Sequence, residues 1–241
     1  MKTYTLIGRG SWHPVFCEDF LFSRQISNEL FVGAVFDGCS SGKDAHFASA
    51  LMGKIVKQSI AMLLYQSDFD QLVQSGVQSV GKKILQMTFE ELKVVRNLLL
   101  LDREELLSTM LLMVCTPQQC YIIALGDGCI ALNGEFIRID QDNRPDYPVY
   151  HIEEDFEQWY ASQTNIFLLD RPRDVSIATD GIDSFEHTNP AFSNAIDPIH
   201  YLLFDRLYDK EPDMLERKFN GLSRNFGCDP GDDISVIRVR F

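Results

Sequence analysis

Residues 31–42 read FVGAVFDGCSSG. The run Leu30–Phe36 is apolar apart from Gly33, and it ends in an Asp-Gly turn followed by Ser-Ser-Gly. A short apolar run bounded by turn residues predicts a buried β-strand. Its last residue, Asp37, is a carboxylate at the edge of that strand, which is costly unless something positive compensates it.

The same arrangement recurs along the chain. Glu18-Asp19 stand in VFCEDFLF, Asp127 in YIIALGDGCIAL, Asp180 in VSIATDGIDSF and Asp232-Asp233 in GDDISVIRVRF. Asp37, Asp127 and Asp180 are each followed by glycine. Asp-Gly taken singly is a common turn dipeptide. Several such acids at strand ends point instead to strands converging on a hard divalent cation, which prefers oxygen ligands. The ligands come from distant segments and lack EF-hand spacing. No GxxxxGK[ST] or GxGxxG signature for nucleotide binding is present.

Around these acids the pattern alternates between strands and helices. Strands are expected at Tyr4–Ile7, Phe16–Ser23 and Leu30–Phe36, then a helix from Phe47 to about Tyr65. Two further helical stretches are read over 69–85 and 89–107. Strands return at Thr109–Cys115, Cys120–Leu125, Cys129–Leu132 and Phe136–Ile139, with the spacing of an antiparallel meander. Residues 140–174 read as irregular with one short helix near Glu153–Tyr160. A strand at Val175–Ala178, helices near Pro198–Tyr208 and Pro212–Phe219, and a closing strand Ile234–Phe241 complete the chain. This is an α+β arrangement with antiparallel sheets. The first and last strands both carry acids of the set, which favours one domain over residues 1–241.

Composition narrows the function. Hydrophobic residues make up 45% and charged residues 24% of the 241, ordinary for a folded globular chain. A net charge of -13 argues against nucleic acid or an anionic membrane as partner. The N-terminus does not read as a signal peptide, and no run approaches the roughly 18 apolar residues of a membrane span. The cysteines, Cys17, Cys39, Cys115, Cys120, Cys129 and Cys228, show no CxxC spacing. The expectation is a cytoplasmic protein with reduced thiols.

FVGAVFDGCSSG, LSTMLLMV, IIALGDGCIAL, VSIATDGIDSF and GDDISVIRVRF, in this order, resemble the blocks of the metal-dependent, type 2C protein serine/threonine phosphatases. The resemblance covers essentially the whole chain and is closest to a variant bacterial subgroup. It implies a β-sandwich of two antiparallel sheets flanked by helices, a four-layer αββα fold. The implied activity is hydrolysis of phosphoserine and phosphothreonine in a phosphorylated protein substrate, by in-line attack of a hydroxide bridging two manganese or magnesium ions (Mn²⁺ or Mg²⁺). Carried over by position, Asp37 bridges the two ions and the Gly38 carbonyl binds one. Asp180 and Asp232 complete the first ion's shell and Glu18 serves the second. Asp127 matches an accessory ligand that, with Asp180, holds a third ion in bacterial relatives. Asp19 falls in the outer shell. Asp233 stands where the family commonly has Asn, and reads as structural.

The chain departs from the pattern in two places. After the bridging Asp-Gly, the family's eukaryotic members have His-Gly-Gly, and Cys39-Ser40-Ser41 stands here. Cys39 reads as a packed residue, not a nucleophile, since the residue closing a C-x5 loop is Ala45 and not arginine. The phosphate-binding arginine expected ahead of Glu18 is also missing, with Pro14 near its place. Gly10-Ser11-Trp12-His13 suggests His13 as the residue that contacts phosphate or protonates the leaving group, against the plain alternative of a turn histidine. His46, one turn into the first helix, is weighed as facing the site against the plainer reading of a solvated helix position. Two other functions stay open: a catalytically weak pseudophosphatase serving as a binding module, and a phosphatase for a small phosphorylated metabolite. The substrate and the oligomeric state are not readable from the sequence.

Overall fold

The apolar runs of the sequence form two sheets in a computed structural model that describes residues 1–142, 144–187 and 196–241. The chain opens with β1 (Lys2–Gly8), β2 (Asp19–Gln25) and β3 (Phe31–Asp37), followed by α1 (Ala45–Leu64), α2 (Phe69–Gln74) and α3 (Val77–Leu99). Next come β4 (Met110–Cys115), β5 (Gln119–Leu125), β6 (Gly128–Leu132) and β7 (Glu135–Ile139). After α4 (Phe156–Ala161), β8 (Ile166–Asp170) and β9 (Asp174–Ala178) lead to the short β10 (Phe185–His187). The chain finishes with α5 (Pro198–Leu203), α6 (Met214–Phe226), β11 (Cys228–Pro230) and β12 (Ile234–Arg240).

One five-stranded sheet has the order β1-β12-β9-β6-β7 and the other β2-β3-β4-β5-β8, all pairs antiparallel. β10 and β11 pair separately. Phe31 and Val35 of β3, Leu111 and Met113 of β4, and Ile237 and Val239 of β12 fill the space between the sheets. The opposite faces of β3 and β4, with Val32, Ala34, Phe36 and Leu112, pack under α1 and α3. This two-sided burial explains why these strands are continuously apolar and do not alternate. α5 and α6 cover the outer face of the β1–β12 sheet through Leu202, Leu203, Leu215 and Leu222. The layers are therefore helix, sheet, sheet, helix, an α+β sandwich as the sequence implied.

Several boundaries differ from the sequence reading. β2 starts at Asp19 and not Phe16, because Val15 and Phe16 lie exposed on the preceding loop. The helical stretches divide at Gly76, whose φ of +105° breaks the chain between α2 and a continuous α3. The meander is interrupted: β5 and β6 belong to different sheets, so the chain crosses the sandwich at Gly126-Asp127-Gly128. Within 140–174, where Asn143 lies outside the described residues, β8 forms an unexpected edge strand. α5 stops at Leu203, and α6 runs on to Phe226. By length and composition α1 would pass as a membrane span, contrary to the sequence reading, but half of that stretch is buried. Met52, Ile55, Val56 and Ile60 pack it into the core.

Candidate metal centre

The pleat of the strands brings the acids together. Asp19 opens β2 directly opposite Asp37, which closes β3. Phe31 and Val35 face the gap between the sheets, so alternation turns Asp37 to the same side, with Asp19 beside it. From the facing sheet, Asp180 follows β9 and Asp232-Asp233 precede β12. Ile237 and Val239 point inward on β12, and alternation places Asp233 inward as well. Gly38 lets the chain turn away beneath α1, since a Cβ there would lie 2.0 Å from the Ala45 carbonyl oxygen.

Among the described residues Asp19, Asp37 and Asp180 have no cationic side chain beside them, and His13 faces only Glu18, Asp232 and Asp233. Asp19 is 4% exposed. Its Oδ2 accepts a hydrogen bond from Thr179 Oγ1 at 2.6 Å, while its Oδ1 is buried without a partner. Burial raises the Asp19 pKa well above the usual carboxylate range, and the charges of Asp180 and Asp233 add to this against the hydroxyls of Thr179 and, to a smaller extent, Ser235. Asp37 is raised in the same way, by burial and then by Asp19, Asp180 and Asp232. Asp180 is lifted to about 6 by burial of its carboxyl, Asp232 and Asp127, although the residue as a whole remains exposed. Burial also raises Asp232. No lysine or arginine pairs with Asp19, Asp37, Asp180 or Asp232 among the described residues. An orphaned buried oxygen inside an all-oxygen donor set fits a hard divalent cation. Among the described residues, no three Asp, Glu, His or Cys side chains enclose a single point.

His13 lies in this cluster and is not a surface histidine. Its Nδ1 is 2.8 Å from Asp233 Oδ2 and 3.4 Å from Asp232 Oδ1, and its Nε2 is 3.6 Å from Glu18 Oε2. Burial lowers its pKa, but the Asp233 bond and the charges of Asp233, Glu18 and Asp232 outweigh this and raise it. Asp233 is almost fully buried beside this histidine. Its carboxylate accepts from Gly10 N at 2.7 Å and Glu18 N at 2.5 Å, stapling the loop that carries His13 to the start of β12. Ser40 Oγ donates to Glu18 Oε2 at 2.8 Å.

The other candidates are placed as follows. Asp127 lies within electrostatic reach of Asp180, and its Oδ1 accepts from Gln141 N at 2.7 Å. His46 is turned away, with Nδ1 2.9 Å from Asp44 Oδ1 and its ring stacked on Phe16 at 4.2 Å. Arg9, the arginine nearest in sequence, bonds the carbonyl oxygens of Pro14 and Val15 at 2.8 and 3.4 Å. The sequence reading missed Ser40, Thr179 and the His13–Asp233 pair. The pair joins residues 220 positions apart, so no local pattern announces it.

Comparison with known proteins bears on the family and the fold. The profile of the protein phosphatase 2C family matches residues 13–216. No curated protein sequence matches. Among solved structures, a variant of a bacterial serine phosphatase is similar with a TM-score of 0.63 and 12% identity, covering 100% of this chain and 98% of its own. The catalytic domain of the serine/threonine protein phosphatase PstP, solved with two manganese ions, gives a TM-score of 0.58 at 13% identity, over 98% and 96%. RsbX in complex with magnesium gives 0.53 at 16%, over 98% and 92%. At such identities these structures speak for the fold. The profile stops short of Asp232, and the fold comparisons carry the likeness on through β12. Sequence profile and architecture therefore agree: the chain belongs to the protein phosphatase 2C family.

Proposed function

We propose that this chain is a metal-dependent phosphoprotein phosphatase acting on phosphoserine or phosphothreonine, with residues 1–241 as one catalytic domain in a reducing, cytoplasmic setting. The observation that carries the reading is the buried, uncompensated carboxylate cluster whose Asp19 Oδ1 has no partner. Asp37, the Gly38 carbonyl, Asp180, Asp232 and Glu18 would hold two ions of manganese or magnesium, and Asp127 with Asp180 a third. Asp19, directly opposite Asp37, would support them from beside the bridging carboxylate. When bound, such ions lower the pKa of coordinated water and offset charge on a phosphoryl group.

The chain's own residues supply the rest. Asp233 accepts the Nδ1 proton of His13 and fixes the ring, which directs Nε2 toward Glu18 and Ser40. From there His13 can contact a phosphoryl oxygen or deliver a proton to the departing alcohol, the part left vacant by Cys39. The order of the sandwich helps hold these groups in place, because Asp19 opens β2 and Asp37 closes β3, with Gly38 next to it, while Asp180 follows β9 and Asp232 precedes β12 in the adjoining turns.

Hydrolysis of p-nitrophenyl phosphate and of a phosphothreonine peptide is expected with manganese present. Asp37→Asn should lower it by at least about 100-fold, as expected when a central charge-stabilising group is lost. Calorimetry should show manganese binding to the unaltered chain and weaker binding to the variant. Unchanged activity in Asp37→Asn would sink the assignment. Absence of manganese binding would point to the pseudophosphatase alternative.

A further inference from the structure

Strand β2 is the margin of its sheet, paired with β3 alone. Beside it runs a groove of about 530 Å³, lined by Phe20, Leu21, Phe22, Ser23 and Arg24 on one side and by Gly53, Lys54 and Lys57 of α1 on the other. Side chains alternate across a strand. Five consecutive residues can border one groove only where the backbone edge itself faces it. Among the described residues, the backbone of 20–24 has no partner beyond β3. The groove floor is apolar, since Phe20 and Phe22 pack partly buried against the core beneath α1.

The rim is cationic. Arg24, Lys54 and Lys57 are exposed, and among the described residues none forms an ion pair, a side-chain hydrogen bond or a ring contact. Several other surface lysines are paired with acids, among them Lys43 with Asp102, Lys82 with Glu157 and Lys93 with Glu153. Three free cations along one groove are notable in a chain of net charge -13. Charges on an edge strand commonly serve to discourage aggregation. That role needs them on the strand, whereas Lys54 and Lys57 stand three residues apart on the opposite wall, where they would flank an added strand.

We propose that this groove docks an extended acidic segment of a partner protein, added antiparallel or parallel to the β2 edge, with its carboxylates against Arg24, Lys54 and Lys57. Main-chain bonds to an open edge supply affinity, and side chains alternating between floor and rim supply selectivity. A segment of about five residues spans the roughly 17 Å of the lined edge. A second copy of this chain fits poorly, because pairing two β2 edges would set the same cations against each other. Docking here is independent of catalysis and is read without turnover.

The test uses the full chain with two short labelled peptides, one alternating glutamate and valine, the other lysine and valine. Fluorescence anisotropy should detect binding of the glutamate peptide alone, and hydrogen exchange should slow at residues 20–24. The double variant Lys54→Glu/Lys57→Glu should bind at least about tenfold more weakly, or roughly 1.4 kcal/mol, while p-nitrophenyl phosphate hydrolysis stays at the unaltered level. Equal binding of both peptides, undiminished binding to the double variant, or no slowing at 20–24 would overturn the proposal. So would a dimer in solution that itself protects 20–24, since the occupant would then be a second copy.

Discussion

Asp19 and Asp37 stand opposite each other with raised pKa values, and Asp180 reaches about 6. Without metal, the folded chain therefore holds protons that the unfolded chain, whose aspartates titrate near about 3.9, has released. Stability should rise as pH falls from about 7 to about 5, because the folded state binds more protons in that window. His13 and His151 act in the same direction: their raised values give a contribution complete below about 6.5 and lost as pH rises through the folded value. Asp205, Asp209 and Asp213 have lowered values, so their contribution fails only in more acidic solution. Thermal melts of chelator-treated protein should show a midpoint several degrees higher at about pH 5 than at about pH 7, with about 2–4 °C for each kcal/mol at this chain length. Manganese should cancel or reverse the gain, since it favours the ionised carboxylates. A metal-free midpoint that drops on acidification would contradict the uncompensated cluster. The acids themselves were legible in the sequence, because each stands at one edge of an apolar run. That Asp233 holds His13 was not, since 220 residues separate the partners.

Among the elements, the turn before α4 is tied down by one histidine. His151 Nε2 lies 2.6 Å from Asp146 Oδ1 and Nδ1 lies 2.8 Å from Glu154 Oε1. Its ring is 5.5 Å from that of Trp159, which packs at 4.5 Å on Phe89 of α3. Burial lowers the imidazole pKa, but the two carboxylates outweigh it and the net shift is upward. The tie is therefore complete below about pH 6.5 and weakens as pH rises through the folded value. Hydrogen exchange over 146–161, corrected for intrinsic rates, should quicken severalfold between about pH 6 and about pH 8.5. His151→Asn should show fast exchange at both. Equal protection at the two pH values in the unaltered chain would rule out this tie. The sequence reading placed a short helix near Glu153–Tyr160, where α4 lies, but it did not show β8. That strand is a short sheet edge with partly exposed side chains, so its pattern is weak.

Across the whole molecule, Arg238 fastens the end of the sandwich away from the acids. It is fully buried, with Nε 2.8 Å from Asp174 Oδ1 and Nη2 2.7 Å from Asp174 Oδ2. Its Nη1 donates to the carbonyl oxygens of Leu202 and Asp205, both at 2.9 Å. One guanidinium thus joins β12, β9 and the end of α5. Arg238→Met should cost about 3 kcal/mol in urea unfolding, because it leaves Asp174 and the helix-end carbonyls under-compensated. Asp174→Asn added to that variant should restore part of the loss. A single-variant cost below about 1 kcal/mol would show that the link contributes little.

What the sequence determined by itself is local. Apolar runs with turn residues at their ends specify the strands of the sandwich other than β8, helical spacing marks α1 and the regions of α3 and α6 without their bounds, and acids at strand ends mark a charge problem. These follow from side-chain alternation and the cost of buried charge, which act over a few residues. The tertiary structure alone decided which sheet each strand joins. It sent the chain across the sandwich at Gly126-Asp127-Gly128, set His13 against Asp233, and left β2 as an open edge beside Lys54 and Lys57. Those outcomes depend on how two sheets twist and pack over a shared core, and contacts across more than 200 residues leave no period in the chain.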